Sequence, residues 1–91
     1  MATVAFTENL RRHLDSELEP MAVNAPTVAG AMEEIFGTFP RLRGYIFDDQ
    51  GAVRKHVAVF LNGEAVRDRD RLSDALPEDG DVFVAQALSG G

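Results

Sequence analysis

The residues of this chain best suited to chemistry are its last three, Ser89-Gly90-Gly91, which follow directly on the apolar run Val82-Phe83-Val84-Ala85-Gln86-Ala87-Leu88. A carboxylate on Gly91 has no side chain beside it. A second glycine behind it lets the backbone enter a narrow slot, or lie close to a ligand, in conformations closed to other residues. Such a tail suits a carboxylate that another protein must reach. Taken alone, the tail reads as a frayed terminus of small residues. Its position straight after a predicted strand sets it apart.

Other reactive groups are sparse. There is no cysteine, hence no disulfide, thiolate ligand or thiol nucleophile, and the chain cannot hold a thioester on itself. His13 and His56 are far apart in sequence, sit beside Arg12 and Lys55, and have no carboxylate spacing around them, so both read as solvated surface histidines and no metal site is expected. Glu33 and Glu34 are sequence neighbours within a predicted helix; they point in different directions and read as its solvated face. Ser89 has no histidine nearby to activate it and reads as a spacer. No phosphate-binding glycine loop is present. Lys55 is the only lysine, so the chain carries one internal acceptor amine besides its N-terminus.

The elements that must position the tail follow from periodicity and turn chemistry. Thr3-Val4-Ala5-Phe6-Thr7 and Met21-Ala22-Val23 are β-prone runs that can form an N-terminal hairpin across a polar connector through Arg11, Arg12, Asp15 and Glu17. Val28, Met32, Ile35, Phe36 and Phe39 recur at three- and four-residue spacings, which predicts a helix with Thr27 as N-cap, stopped by Gly37 and Pro40. Tyr45-Ile46-Phe47 and Ala52-Val53 flank the turn Asp48-Asp49-Gln50-Gly51. Val57-Ala58-Val59-Phe60-Leu61 leads into Asn62-Gly63, the strongest hairpin signal in the chain, and the return Glu64-Ala65-Val66. Leu72, Ala75 and Leu76 predict a short helical turn or packed loop. Pro77-Glu78-Asp79-Gly80-Asp81 is a further turn, launching the final strand over 82–88. Strands, one main helix, then strands again predict an α+β domain with the helix across one face of a mixed sheet.

Length and charge bound the possibilities. Ninety-one residues allow one small domain, expected over 1–88 with 89–91 as its tail. No apolar run reaches spanning length and no secretory signal opens the chain, which predicts a cytoplasmic protein without a membrane partner. The net charge of −6, from 15 acids against 9 bases, argues against nucleic acid as a partner, which needs cations to replace phosphate counterions. The densest basic stretch, Arg67-Asp68-Arg69-Asp70-Arg71, alternates in sign and reads as a solvated loop. An acidic surface predicts a basic partner surface.

Asp79-Gly80-Asp81-Val82 leading through a strand to Leu88-Ser89-Gly90-Gly91, with Val57-Ala58-Val59-Phe60-Leu61-Asn62-Gly63-Glu64 upstream, resembles the ubiquitin-like sulfur carriers related to the molybdopterin-synthase small subunit and the thiamine-pathway carrier. The resemblance covers nearly the whole chain. It departs where Asp81 runs straight into Val82, since relatives often carry one more residue there. The length and the segment from Gly44 to His56 are more like the longer members, which include carriers for cysteine synthesis. The resemblance implies a β-grasp fold and a role as cosubstrate rather than enzyme. A partner adenylates the Gly91 carboxylate with ATP, and a sulfur donor displaces AMP to leave a thiocarboxylate for molybdopterin, cysteine or related biosynthesis. ATP and metal would belong to the partner, with no cofactor on this chain. The partners implied are an adenylating enzyme of the ubiquitin-activating type and a sulfur-accepting synthase or target protein.

Strand alternation adds a docking expectation. Val57, Val59 and Leu61 fall on one face and Ala58 and Phe60 on the other; Val82 and Val84 oppose Phe83 and Ala85. If the two strands neighbour each other, as the resemblance implies, Phe60 and Phe83 share the outer face and form a docking patch leading towards Leu88 and the tail. The opposite register would bury both rings. Two other functions use the same sequence: a protein modifier joined through Gly91 to target lysines, and an interaction module on the same scaffold with a silent tail.

Overall fold

The computed structural model describes residues 1–8 and 19–86, so the connector through Arg11, Arg12, Asp15 and Glu17, His13, and the segment from Ala87 to Gly91 lie outside the described residues. The elements are β1 (Ala2–Phe6), β2 (Met21–Val23), α1 (Val28–Thr38), α2 (Arg41–Ile46), β3 (Val57–Leu61), β4 (Glu64–Ala65) and β5 (Asp81–Gln86). The strands form one mixed sheet in the order β2-β1-β5-β3-β4. β5 is central: it runs parallel to β1 and antiparallel to β3, while β1–β2 and β3–β4 are antiparallel hairpins.

Alternation along the strands sends Ala2, Val4, Phe6, Val23, Val57, Val59, Val82 and Val84 to one buried face, and α1 meets them with Val28, Ala31, Met32, Ile35 and Phe36. Burying a branched aliphatic or aromatic side chain is worth about 1.5–3 kcal/mol, so this two-layer contact carries most of the cohesion. Phe36 also meets Phe47 edge to face, 5.6 Å between centroids, and the Arg43 guanidinium carbon lies over the Phe36 ring, 4.9 Å from its centroid. Among the described residues no polar or charged side chain is fully buried in this core.

Each boundary of α1 has a local cause. Thr27 is extended (φ −135°, ψ 163°) and its Oγ1 accepts from the Gly30 N–H at 3.0 Å. The preceding N–H groups are capped from a distance: Val28 donates to the Asp74 carbonyl at 3.0 Å and Ala29 to the Leu72 carbonyl at 2.8 Å. Gly37 does not stop the helix, which runs through it to Thr38. Pro40 opens a second short helix instead, a position where its missing N–H and fixed φ cost nothing. Tyr45 and Ile46, read from the sequence only as flanking the turn over 48–51, end α2; Leu42 and Ile46 are buried at helical spacing, and Phe47 makes a bridge to Val53. A three-residue apolar run cannot distinguish the two periods. The turn between them is as expected, with Asp48 Oδ1 accepting from the Gln50 and Ala52 N–H groups and Gly51 at φ +81°. At Asn62-Gly63 both residues have positive φ (53° and 85°), the geometry of a type I′ hairpin turn.

The segment Arg67 to Asp74 is more organised than a solvated loop. Asp68 accepts from the Ser73 hydroxyl and from the Arg71 and Ser73 N–H groups; Asp74 accepts from the Arg67 and Asp68 N–H groups, both at 2.8 Å. The two carboxylates fold the chain so that Leu72, at φ +57°, is buried and its carbonyl reaches α1. Hydrogen bonding to the charged form holds Asp68 below the ordinary carboxylate range, chiefly through the Ser73 hydroxyl, and Asp74 likewise through the Arg67 and Asp68 amides. A carboxylate depressed in the folded state contributes stability above its unfolded pKa and loses it as pH falls through the folded one. Melting temperature should therefore be flat above about pH 5 and fall below about pH 4. In a D68N/D74N variant the acid limb should be shallower, from a lower plateau; identical limbs in both proteins would remove these carboxylates from the account.

Candidate functional site

The side of the sheet turned away from α1 is set by the register of its central strands. Phe60 and Phe83 are direct Cα partners, as are Ala58 and Ala85; Ala5 pairs with Phe83, Thr3 with Asp81, and Ala65 with Phe60. These residues share the outer face. Phe83 is 42% exposed and Phe60 half-buried, and neither belongs to the buried core cluster. Leu61, placed by alternation on the inner face, is only partly buried but does pack on the core. The outer face is thus a low floor of alanines carrying two aromatic rings at its centre, a form of apolar surface that marks interfaces.

The start of β5 is fixed by the β3–β4 turn. Asn62 Oδ1 accepts from the Asp81 N–H at 2.9 Å, and the Asn62 N–H donates to the Asp81 carbonyl at 2.8 Å. Behind it, Gly80 is buried so closely that a Cβ there would meet Leu76 Cδ1 at 2.9 Å and the Pro77 carbonyl at 3.1 Å.

The Gln86 end of β5 lies near polar groups from other segments. Gln86 pairs with Val57, and the Gln86 Nε2 donates to the Tyr45 hydroxyl at 3.2 Å. Tyr45 meets His56 edge to face, 6.4 Å between centroids. The Arg69 Nη2 donates to the Lys55 carbonyl at 2.9 Å and the Val57 carbonyl at 3.0 Å, pinning the segment that enters β3.

Of the residues singled out from sequence, Phe60 and Phe83 are brought together on one face beside the strand that leads to the tail. Leu88, Ser89, Gly90 and Gly91 lie outside the described residues. Glu33 and Glu34 stay apart: Glu33 pairs with Arg43, whose hydrogen bonds hold its carboxyl below the ordinary range, and Glu34 accepts from the Asn24 N–H at 3.1 Å. Tyr45 and Arg69 were not legible as neighbours of the Val57–Gln86 pair, since side-chain hydrogen bonds between distant segments bring them there. Among the described residues no group of three or more histidine or acidic side chains is placed to hold a metal ion, and no helix is long and apolar enough to cross a membrane.

No protein-family model matches the chain, and no curated protein matches it in sequence. Solved structures do. The chain is similar to SAMP1 from Haloferax volcanii, with 25% identity, TM-score 0.77, and 99% of this chain and 98% of that one covered. It is similar to CysO in the Amycolatopsis orientalis BexX/CysO complex, with 18% identity, TM-score 0.83 and both chains covered in full. CysO from Mycobacterium tuberculosis aligns at 19% identity and TM-score 0.80 over 97% of this chain and all of that one. These neighbours are ubiquitin-like sulfur carrier or modifier proteins, and the described residues of the present chain have their α+β, β-grasp fold.

Proposed function

We propose that this chain is a ubiquitin-like sulfur carrier whose Gly91 carboxylate is activated by a partner enzyme and converted to a thiocarboxylate. The observation that supports the reading is the place of β5: a central strand, paired on both sides, runs to Gln86, five residues before Gly91 in sequence, and carries Phe83 beside Phe60 on the outer face. End-to-end likeness to carriers and modifiers supports it.

In the proposed cycle a Gly91 carboxylate oxygen attacks the α-phosphorus of ATP and pyrophosphate leaves, giving an acyl adenylate. A sulfur nucleophile then attacks the carbonyl carbon, the bond to the AMP oxygen breaks, and sulfur stays on Gly91. ATP, metal and catalytic groups come from the partner, which is in keeping with the absence of cysteine and of a phosphate loop in this sequence. The domain supplies the handle and the outer face on which the partner docks; the BexX/CysO complex is a precedent for a carrier seated on another protein. The tail's last two residues must be slim, because attack geometry tolerates little misplacement. The same activated carbonyl would serve transfer to a target lysine, a reading favoured by the modifier names among the structural neighbours.

The deciding measurement is intact mass. Incubated with its cognate activating enzyme, ATP and sulfide, the protein should gain the mass difference of one sulfur for one oxygen, located on Gly91 by fragmentation. An extension fused beyond Gly91 should prevent it. Failure of a purified cognate enzyme to form the acyl adenylate overturns the carrier reading, and recovery of Gly91 only as amides of target lysines would replace it with the modifier.

A further inference from the structure

Asn62-Gly63 is the only place in the chain where glycine follows asparagine. Such a pair carries a reaction of its own. The main-chain nitrogen of the glycine, once solvent base has taken its proton, attacks the amide carbon of the asparagine side chain, and the missing Cβ of glycine leaves the approach open. Here both residues are exposed in the β3–β4 turn, and among the described residues the Gly63 N–H has no hydrogen-bond partner. The nucleophile is therefore within reach of solvent base. The related pair Asp79-Gly80 differs, because Gly80 is buried and donates its N–H to the Pro77 carbonyl at 3.0 Å.

The native turn keeps the two reacting atoms apart. Asn62 and Gly63 have φ of 53° and 85°, the type I′ arrangement. In that turn ψ of the first central residue is about +30°, which places the next nitrogen across the Cα–C bond from Cβ. Closing a five-membered ring needs that nitrogen on the same side as Cβ. The side chain is held as well: Asn62 Oδ1 accepts from the Asp81 N–H at 2.9 Å, while the Asn62 N–H donates to the Asp81 carbonyl at 2.8 Å. Attack on the amide carbon thus requires the hairpin to open, with the turn leaving its native form and Asn62 releasing Asp81.

We propose that Asn62 is a site of spontaneous deamidation that the native hairpin holds shut, and that its conversion releases the start of β5. When the hairpin opens, the Gly63 nitrogen forms a bond to Asn62 Cγ and the bond from Cγ to the side-chain nitrogen breaks. Ammonia leaves with the electron pair, taking a proton from solvent, and a cyclic imide remains. Water then adds to one imide carbonyl, and that carbon's bond to the ring nitrogen breaks. Addition at Cγ leaves aspartate in a normal main chain. Addition at the Asn62 main-chain carbonyl leaves a β-aspartyl linkage, in which the chain runs through the side-chain methylene. A two-residue turn sets the register of its strands and has no room for an extra main-chain atom. The β-aspartyl form therefore loses both the turn and the oxygen that meets the Asp81 N–H, and it adds a carboxylate beside Asp81. The central strand, which carries Phe83, is no longer pinned at its first residue.

The test follows the full chain at mildly alkaline pH by intact mass and peptide mapping, folded in buffer and unfolded in guanidinium chloride. The unfolded chain should gain the mass increase of an amide turned to an acid, located at residue 62. It should do so on the order of tenfold or more faster than the folded protein, of which only the open fraction reacts. Equal rates in the two conditions overturn the proposal, as does an unfolded chain that deamidates elsewhere in preference to residue 62. The β-aspartyl product, isolated by chromatography, should lose hydrogen-exchange protection at the Asp81 amide by on the order of tenfold or more. Asn62→Asp, which keeps a side-chain oxygen on a normal main chain, should retain that protection. A β-aspartyl product as protected at Asp81 as the native protein overturns the release of β5. None of these results bears on adenylation of Gly91, which the enzyme assay above decides separately.

Discussion

Replacing Gly91 with valine should abolish acyl-adenylate formation while leaving the melting temperature where it is in the wild type. Valine narrows the accessible backbone and puts two methyl groups beside the carbonyl that the nucleotide and then the sulfur must approach. Displacement of a reacting carbonyl by about 1 Å costs on the order of a hundredfold in rate, so the loss should be at least that large. Stability should change by less than about 0.5 kcal/mol, because the substitution falls beyond β5, whose core contributions are Val82 and Val84. The comparison of adenylate yield with melting temperature separates two roles. A variant that loses both together assigns the tail to the fold; one that keeps both removes Gly91 from the chemistry. Gly91→Ala should fall between valine and wild type in yield.

The fold was legible where a single residue type forces a geometry. Asn62-Gly63 dictates positive φ at two successive positions and so a two-residue hairpin, and Thr27 before an apolar stripe gives an N-cap whose hydroxyl has one natural donor, the Gly30 amide. The faces of β3 and β5 were legible because branched aliphatics alternate with alanine or phenylalanine along both. What the sequence did not disclose depends on contacts between distant segments. Pro40 reads as a stop signal until the next turn of helix, with Leu42 and Ile46 facing the core, shows it as a start. The alternating charges of Arg67 to Arg71 look like solvated surface, yet Asp68 and Asp74 spend their oxygens on backbone amides, which presents the Leu72 and Asp74 carbonyls to α1. The polar group around Gln86 assembles through strand pairing, and no local signal announces it.

That same pairing makes the outer face testable. Phe60→Ser and Phe83→Ser should each weaken binding to the activating enzyme by tenfold or more, the effect of removing an aromatic anchor worth about 1.4 kcal/mol or above. Neither should unfold the protein. Phe83 is 42% exposed and Phe60 is half-buried outside the buried core cluster, so the expected cost is about 1–2 kcal/mol for each ring. Ile35→Ala supplies the contrast: Ile35 is buried between α1 and the sheet, and its truncation should cost about 2–5 kcal/mol, a large share of the stability of a domain this small. Binding of the folded fraction of Ile35→Ala should be unchanged. If the two serine variants instead lose stability as Ile35→Ala does, the rings belong to the fold. If they keep both stability and affinity, the partner docks elsewhere and the exposure of Phe83 has another cause. A double variant should lose less than the sum of the single losses in binding, because the two rings are direct partners across β3 and β5 and one partner pocket would accept both.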